Sequence, residues 1–390
     1  MTMAGVEAFI TGAGQSEVGI RLSRHPLLLT VDAIREAVRD AGLTLDQIDG
    51  VFTYPGKMDT PPGFSPVSSI DVIETLGIKA RWHYGGGEQP AQLSAIAAAA
   101  MAVRSGVCRH AICFRTVYEA AALSRPAEFP QPRGGEVGGA LQWLLPFGAL
   151  SAACWTAIPA ARHVQRFGMT REHLAAIAIN ASRNALLNPQ ASAITREELT
   201  LDRYMAARLI ATPFGLYDCD RFTDGSTAFI VSAGDALDEI SATPIRIAAM
   251  SGSVERYSWD QAEWPAAYAA GPELWQHTDY RTGDVDLVQL YDGFSFLPIT
   301  WLEGLGFCAK GEGHYFVEGG QRIARDGELP MNTAGGQLGA GRLHGFGFVH
   351  ESVIQLRGRA GARQVGGKPR LAVATSGGGP MAAALLLARD

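Results

Sequence analysis

The chain has 390 residues, of which 47% are hydrophobic, 18% are charged and 46 are glycines. Its 33 Lys+Arg and 39 Asp+Glu leave a formal net charge of -6, and no basic tract is present, which argues against a nucleic-acid-binding protein. The longest apolar run, Leu93–Val103, is too short to span a bilayer, and no secretory leader is expected. Five cysteines without a CxxC pair indicate neither a zinc site nor a disulfide framework, so we expect a cytoplasmic globular protein that binds no metal of its own.

The first part of the chain alternates short apolar strands with helices. Residues Val31, Ile34, Val38 and Ala41 have helical spacing, and Gly42 follows as a C-cap. In chain order the pattern predicts strand Val6–Gly14, helix Leu29–Ala41, strand Val51–Thr53, helix Ala91–Ser105 and strand His110–Arg115. Strand, helix and strand in succession favour a parallel sheet with helices on its faces.

The middle of the chain differs in composition, and the pattern then returns. Residues 116–204 contain several prolines and interrupted helices, which we interpret as an insertion over the sheet. The predicted elements that follow are strands Thr227–Ser232, Pro244–Ala249, Asp286–Tyr291, Leu371–Thr375 and Ala382–Leu387, and helices Ile299–Leu305 and Glu351–Arg357. The similar order of elements in residues 1–235 and 236–390 suggests two halves related by duplication.

Glycines concentrate in four clusters. The clusters are "YGGGEQP" at Tyr84–Pro90, "DGSTAF" at Asp224–Phe229, "NTAGGQLGAGRLHGFG" at Asn332–Gly347 and "TSGGGP" at Thr375–Pro380. None matches the dinucleotide fingerprint or a Walker phosphate loop. They form either ordinary tight turns or, taken together, loops whose backbone N–H groups can approach a ligand and build oxyanion holes.

These segments resemble the thiolase superfamily, in the branch of sterol-carrier-protein-type thiolases and lipid-transfer proteins. The similarity runs through "ITGAGQSEVG", "AARHVQRFGMTREHLAAIAINASRNALLNPQA", "ATPFGLYDCDRFTDGSTAFIVS", "VQLYDGFSF", the glycine-rich segment and "SGGGPMAAALLL". It implies a thiolase fold: an α/β protein with two duplicated βαβ halves in five layers (αβαβα) and an inserted loop domain. It also implies a homodimer and a CoA thioester substrate.

The resemblance fails at the two catalytic cysteines of thiolases. Glu88-Gln89-Pro90 stand where the first cysteine begins a helix, and Ser376 stands where the second precedes the closing glycine run. Without a thiolate, acyl-enzyme chemistry has no nucleophile. Ser94 and Ser376 are conceivable substitutes, but no adjacent base is recognisable from spacing.

Tyr291 opens the tetrapeptide Tyr291-Asp292-Gly293-Phe294, in which thiolases have Asn or His at the first position. The tyrosine resembles the thiolase-like aldolases that cleave steroid side chains. It is either a packed strand-end residue or a catalytic base, with Asp292 beside it. To act as a base near pH 7, its pKa must fall by roughly 3 units, at about 4 kcal/mol, which oriented amides or a cation could supply.

Arg342 and His344 lie in the loop where thiolases have Gly-His-Pro. Arg342 could hold an enolate or lower the pKa of Tyr291, and His344 could be the acid; a surface cation and a loop histidine are the alternatives. The second tyrosine of the aldolases is absent, because Phe346 has no hydroxyl.

The preferred hypothesis is a retro-aldolase that cleaves a β-hydroxyacyl-CoA, with a steroid side-chain thioester as one candidate, to a ketone and a short acyl-CoA. Tyr291, Asp292, Arg342 and His344 are the expected catalytic residues. The residues expected to bind substrate are Gly87, Glu88, Gln89, Asn332, Ser376, Gly377 and Gly378. The resemblance further implies a small OB-fold and zinc-ribbon partner, which would hold any zinc. An acyltransferase and a non-catalytic acyl-CoA-binding or lipid-binding subunit are the alternatives.

Overall fold

The computed structural model describes five stretches of the chain, residues 7–58, 61–86, 91–125, 139–254 and 260–390. The strands in them are β1 Ala8–Gln15, β2 Gly50–Thr53, β3 Trp82–Gly85, β4 His110–Tyr118, β5 Leu209–Ala211, β6 Phe214–Gly215, β7 Asp224–Ala233, β8 Ile245–Val254, β9 Leu287–Gln289, β10 Leu371–Gly377 and β11 Met381–Ala388. The α-helices are α1 Pro26–Ala41, α2 Ser69–Leu76, α3 Ser94–Arg104, α4 Glu119–Ser124, α5 Ala152–Phe167, α6 Arg171–Leu186, α7 Leu201–Ala206, α8 Ala266–Gln276, α9 Leu297–Gly304, α10 Gly313–Val317, α11 Gly336–Ala340 and α12 Phe346–Leu356.

Nine strands form one mixed sheet, in the order β3-β2-β4-β7-β1-β8-β11-β10-β9. Among the strands of the described residues, only the pairs β2–β3, β2–β4 and β9–β10 are parallel. The expected parallel sheet is therefore only partly right: β1 does not neighbour β2 but lies antiparallel between β7 and β8. The reason is that β7 returns from a long excursion and pairs along the whole of β4, which brings β1 next to β7.

The sheet has two halves, and the pleat sends alternate side chains into different cores. In β2, Val51 packs into the outer core that holds α1 and α2, whereas Phe52 packs into the central core that holds α3 and α12. In β11, Leu385 joins the same central core and Leu386 joins the outer core of α8 and α9. Three helical layers thus enclose two sheet halves. The predicted five-layered αβαβα arrangement is confirmed.

The helices begin at other residues than the sequence pattern predicted. Helix α1 starts at Pro26 because the Nδ1 of His25 accepts the N–H of Leu27 at 3.2 Å. Helix α12 starts at Phe346 instead of the predicted Glu351, directly after Gly345 with its left-handed φ of +84°. This early start brings the N-terminus of α12 next to the glycine-rich loop.

The excursion between β4 and β7 covers residues 119–223, because Tyr118 pairs with Asp224 in the ladder. It starts later than the predicted insertion, because β4 extends past Arg115, and it ends later, because the segment after α7 forms the small sheet β5–β6. Helix α6 fixes the excursion to the second half: Asn180 and Asn184 both donate to the Met331 carbonyl, at 3.0 and 3.1 Å.

Among the described residues, no single helix is long and apolar enough to cross a membrane. By length and composition alone, the bent pair Leu141–Phe147 and Ala152–Phe167 would pass the same test.

Candidate active site

The loop between α11 and α12 places Arg342 against two carboxylates of the excursion. Arg342 donates to Glu119 through Nη2 (2.6 Å) and Nε (3.1 Å), and its Nη1 lies 3.5 Å from Asp220 Oδ1. Burial alone would lower the pKa of Arg342, but the carboxylates of Asp220 and Glu119 raise it above its ordinary value. Arg342 is therefore a permanent cation in a buried ion-pair cluster, not a surface charge.

His344 lies beside the same cluster as a neutral imidazole. Its Nδ1 is 2.8 Å from Nη2 of Arg115, and an arginine can only donate, so the ring proton is on Nε2, which faces Glu119 Oε2 at 3.6 Å. Burial, with the cations Arg115 and Arg342, holds the pKa of His344 well below its ordinary value. As a neutral ring whose N–H faces a carboxylate, His344 has no imidazolium proton to give near pH 7.

Tyr291 follows β9 and is partly exposed. Its N–H donates to Thr375 Oγ1 at 2.8 Å, which fixes the backbone at the strand end. Burial, assisted by the Asp220 carboxylate, raises the pKa of Tyr291 to about 12, against lowering by Arg342 and the Gln337 amide. The fall in pKa that a free phenolate base near pH 7 would require is therefore absent in the ligand-free protein, because desolvation of the phenolate outweighs the nearby cation.

Asp220 is the carboxylate that raises the pKa of this phenol most. Its N–H donates to the Gly293 carbonyl at 3.1 Å. A Cβ added at Gly293 would lie 2.9 Å from Tyr291 Cε1 and 3.5 Å from Asp220 Oδ2, so both side chains flank the same glycine. Burial raises the pKa of Asp220 to about 6, against the Arg342 guanidinium. Asp220 thus changes charge close to neutral pH, which suits a general base.

Asp292 and Asn332 serve the backbone around the site. Asp292 is fully buried, and its Oδ1 accepts the Gln337 N–H at 2.7 Å; burial raises the pKa of Asp292 to about 7. Asn332 donates to the Leu290 carbonyl and accepts the Leu290 N–H, at 2.9 and 2.8 Å. Both polar ends of Asn332 are therefore used to hold the strand that precedes Tyr291, so its side chain positions the site rather than offering a free group to substrate.

The closing glycine loop uses most of its polar groups internally. Ser376 is buried, and its Oγ accepts the Leu93 N–H at 3.3 Å, just before α3. The Gly377 carbonyl accepts from Trp301 Nε1 at 3.0 Å, and the Gly378 N–H donates to the Met381 carbonyl at 2.8 Å. The Gly378 amide is thus occupied and is not a free oxyanion donor. Gly87, Glu88 and Gln89 lie outside the described residues.

The structure thus brings Tyr291, Arg342 and His344 together and adds Glu119, Asp220, Arg115 and Gln337, which the sequence analysis missed. One of these had a visible signal: Arg115 interrupts an otherwise apolar strand, and an arginine there needs buried partners. Asp220 lies among polar residues in the sequence, whereas Glu119 and Gln337 lie among small and apolar residues, and no spacing in the chain links the three to Arg342.

All five cysteines are free. Burial raises the thiol pKa at four of them: Cys108 (about 11), Cys113 (well above its ordinary value), Cys219 (about 12) and Cys308 (about 12). These four are protonated near pH 7 and are poor nucleophiles. Among the residues that the structure describes, no group of three or more His, Cys, Asp or Glu could hold a metal ion.

Comparison with known proteins extends over the full chain. Residues 253–388 match the family profile described as thiolase C-terminal domain-like. The chain is 31% identical to the steroid side-chain-cleaving aldolase of Thermomonospora curvata, over 98% of each chain. It is 30% identical to the 17-hydroxy-3-oxo-4-pregnene-20-carboxyl-CoA lyase of Mycobacterium tuberculosis, over 98% of this chain and 100% of that one. The solved structure of an Ltp2-ChsH2(DUF35) aldolase superposes with a TM-score of 0.86 at 28% identity, over 100% of this chain and 99% of that one.

Proposed function

This chain belongs to the thiolase superfamily, with the sterol-carrier-protein-type enzymes and the steroid side-chain-cleaving aldolases, and we propose that it cleaves a β-hydroxyacyl-CoA into a ketone and a shorter acyl-CoA. The observation that carries the proposal is the neutral phenol of Tyr291, partly exposed and flanked by the Asp220 carboxylate and the Arg342 guanidinium. That group of residues can move a proton but contains no nucleophile.

The reaction needs only one proton and no external reactant. The β-hydroxyl gives its proton to the Tyr291 oxygen as the tyrosine proton passes to Asp220. The Cα–Cβ bond breaks, its electron pair becomes the thioester enolate, and the β-carbon becomes the ketone. Tyr291 then gives a proton to Cα as Asp220 returns its proton to Tyr291, which yields the acyl-CoA and restores both side chains. A positioned base typically contributes about 10²–10⁴ in rate.

The anionic enolate requires donors or cations. Arg342 is close to the phenol and permanently charged, and it supplies that charge while Glu119 and Asp220 hold it in place. The N-terminal approach to α3, with Gly87, Glu88 and Gln89, is the second proposed contact for the thioester. The acyl group remains attached to CoA throughout, so no acyl-enzyme forms.

The proposal is tested by Tyr291→Phe, assayed as short acyl-CoA release from β-hydroxyacyl-CoAs with steroid or aryl ketone halves. We expect at least a 10²-fold fall in kcat with an unchanged far-UV CD spectrum, because the phenol is the first proton acceptor. Tyr315→Phe, an exposed tyrosine in α10, is the matched control and should keep full activity. Full activity of Tyr291→Phe would refute the assignment, and an acyl-enzyme trapped by mass spectrometry would favour the acyltransferase alternative.

The proposal includes two kinds of partner. In the described sheet β3 is an edge strand paired only with β2, and its Trp82 is 53% exposed, which suits strand pairing with a second copy. The aldolase of similar structure is named for two components, Ltp2 and ChsH2(DUF35), which supports a heteromeric complex here. We propose that this second component is a small protein with an OB fold and a zinc ribbon. We also propose that the chain works in the cytoplasm, because five free cysteines suit a reducing compartment. Activity that requires a co-purified second protein would support the heteromeric complex.

A further inference from the structure

A cavity of about 330 Å³ lies along helix α12, beside the glycine-rich segment. Its wall contains four glycines and three larger apolar residues: Gly336, Gly341, Gly345, Gly347, Leu343, Phe348 and Ile354. Glycines present backbone instead of side chains, so this wall is smooth, and the volume is in the range of small-molecule sites, roughly 300–1,000 Å³. The rest of the lining is mostly polar, so the cavity suits a compact body that also carries hydrogen-bonding groups.

The two arginines of the lining are ion-paired, and the lining carboxylate Glu36 accepts the Gln15 N–H. Glu351 Oε2 accepts from Arg363 Nε at 2.8 Å, and Arg359 Nη1 lies 2.5 Å from Asp40 Oδ1. Burial lowers the pKa of His350 to about 4, so that ring is neutral. Among the described lining residues, no cation is left to bind a phosphate or a carboxylate. The cavity is therefore matched to an uncharged ligand.

Two buried glutamines of the wall each have one polar atom that makes no close hydrogen bond with the described residues, Gln289 Oε1 and Gln337 Nε2, and the Gln337 amide is near enough to the Tyr291 phenol to lower its pKa. Their other ends are fixed: Gln289 Nε2 donates to Thr333 Oγ1 at 2.9 Å, and Gln337 Oε1 accepts the His344 N–H at 2.9 Å. These bonds set which amide atom is free. A buried polar atom without a partner is costly, so the cavity favours a ligand with one acceptor and one donor.

Two residues of the cavity wall also lie next to the Tyr291 phenol. Phe348 packs edge-on against Tyr291 with ring centroids 6.1 Å apart. A Cβ added at Gly293 would lie 2.9 Å from Tyr291 Cε1 and 3.6 Å from Gln337 Nε2. Gln337 therefore lies between the cavity and the proposed proton acceptor.

On the basis of the proposed lyase function, we propose that this cavity holds the uncharged ketone half of the substrate, and that Gln337 Nε2 donates to the oxygen that changes from hydroxyl to ketone carbonyl. That oxygen accepts a hydrogen bond at every stage of cleavage, and an amide N–H has no proton to lose to Asp220. Gln289 Oε1 accepts from a donor on the ketone's ring body. The charged CoA half stays outside the cavity.

Gly347 allows the cavity to be filled selectively. It lies in α12 with ordinary helical φ, and an added Cβ would meet only Leu343, at 3.5 Å. Gly347→Leu should weaken binding of 3β-hydroxyandrost-5-en-17-one, which has a ketone acceptor and a hydroxyl donor at opposite ends of its ring body, at least tenfold in titration calorimetry. Gly283→Leu, at a surface glycine whose added Cβ would meet nothing within 4 Å, is the matched control and should bind as the wild type does. The 17β-carboxylate analogue, which has a charge in place of the ketone, should bind at least tenfold more weakly to the wild type.

Gln337→Glu tests the donor, because the Glu oxygen can still accept the His344 N–H. We expect kcat to fall on the order of 10²-fold, the usual effect of losing one such donor, with little change in KM, and Gln337→Met to behave alike. A wild type that does not bind the neutral ketone, equal binding by Gly347→Leu, or an unchanged kcat in Gln337→Glu would overturn the inference. Failure of the lyase proposal is separate: the wild type would cleave no β-hydroxyacyl-CoA, whatever the calorimetry shows.

Discussion

The pH dependence of cleavage should reveal Asp220. Its pKa is about 6, compared with 3.8 for a free aspartate side chain, because burial disfavours the carboxylate. At pH 5 a group with this pKa is about one tenth ionised, whereas an unperturbed aspartate would be about nine tenths ionised. If the carboxylate is the final proton acceptor, kcat/KM at pH 5 should be about one tenth of its plateau value above pH 7.

The assay is kcat/KM for acyl-CoA release between pH 4.5 and 8, with the variant Asp220→Asn beside the wild type. The variant should lose about 10²–10⁴ in rate together with the acid limb. Acid unfolding through Asp220 is not a competing explanation: its folded pKa is raised, so the folded state binds the proton more tightly and acidification from pH 6 to about 4 stabilises it. Far-UV CD at pH 5 checks this.

The same experiment distinguishes titration of Asp220 from titration of the other ionisable groups near it. Asp292 has a pKa of about 7, but its Oδ1 accepts the Gln337 N–H. The other charged groups of the cluster are Arg342, which contacts Asp220, and Glu119, which contacts Arg342. An acid limb that persists in Asp220→Asn would assign the limb to another group. A wild-type rate that is constant down to pH 4.8 would refute the role of Asp220.

Three further predictions concern assembly and packing. Glu119→Gln should lower the free energy of unfolding by about 3 kcal/mol in urea titrations, because it leaves the buried Arg342 with only the longer contact to Asp220; an unchanged midpoint would contradict a stabilising ion pair. Gly271→Ala should cost about 2 kcal/mol without changing kcat of the folded fraction, since its Cβ would lie 2.0 Å from the Gly304 carbonyl oxygen; equal thermal stability would show that α8 and α9 can separate. Trp82→Glu should give a monomer in light scattering with unchanged CD, whereas a persistent dimer would place the interface elsewhere.

Much of the fold was predictable from the chain, because strand and helix periodicity reports which face is buried. The strands at Val51–Thr53 and Leu371–Thr375 were found by their apolar runs. The antiparallel placement of β1 could not be predicted, because sequence order does not reveal that β7 returns beside β4. Strand neighbours depend on where a long excursion ends, which local pattern does not record.

The site was predicted in part. Tyr291 and Arg342 do lie together, but the fall in pKa that a free phenolate base would require is absent, because desolvation of the phenol depends on three-dimensional burial. Asp220 and Glu119 are separated by about a hundred residues in the chain and meet only at Arg342. Spacing arguments find groups on one element and miss those that meet across the fold.

The charges around Arg342 make the folding of the two halves depend on each other. Two acidic residues come from the N-terminal half and their cation comes from the C-terminal half, whereas β1 and β8 join the halves through only two residue pairs, Phe9–Arg246 and Ile10–Ile245. In the folded protein these groups are buried together, and removing one side of the cluster leaves buried charge without its counter-charge, at several kcal/mol. The two halves should therefore fold as one cooperative unit. A fragment, or an exchange of one half between proteins, would lose the charge cluster around Arg342 even if every strand were intact.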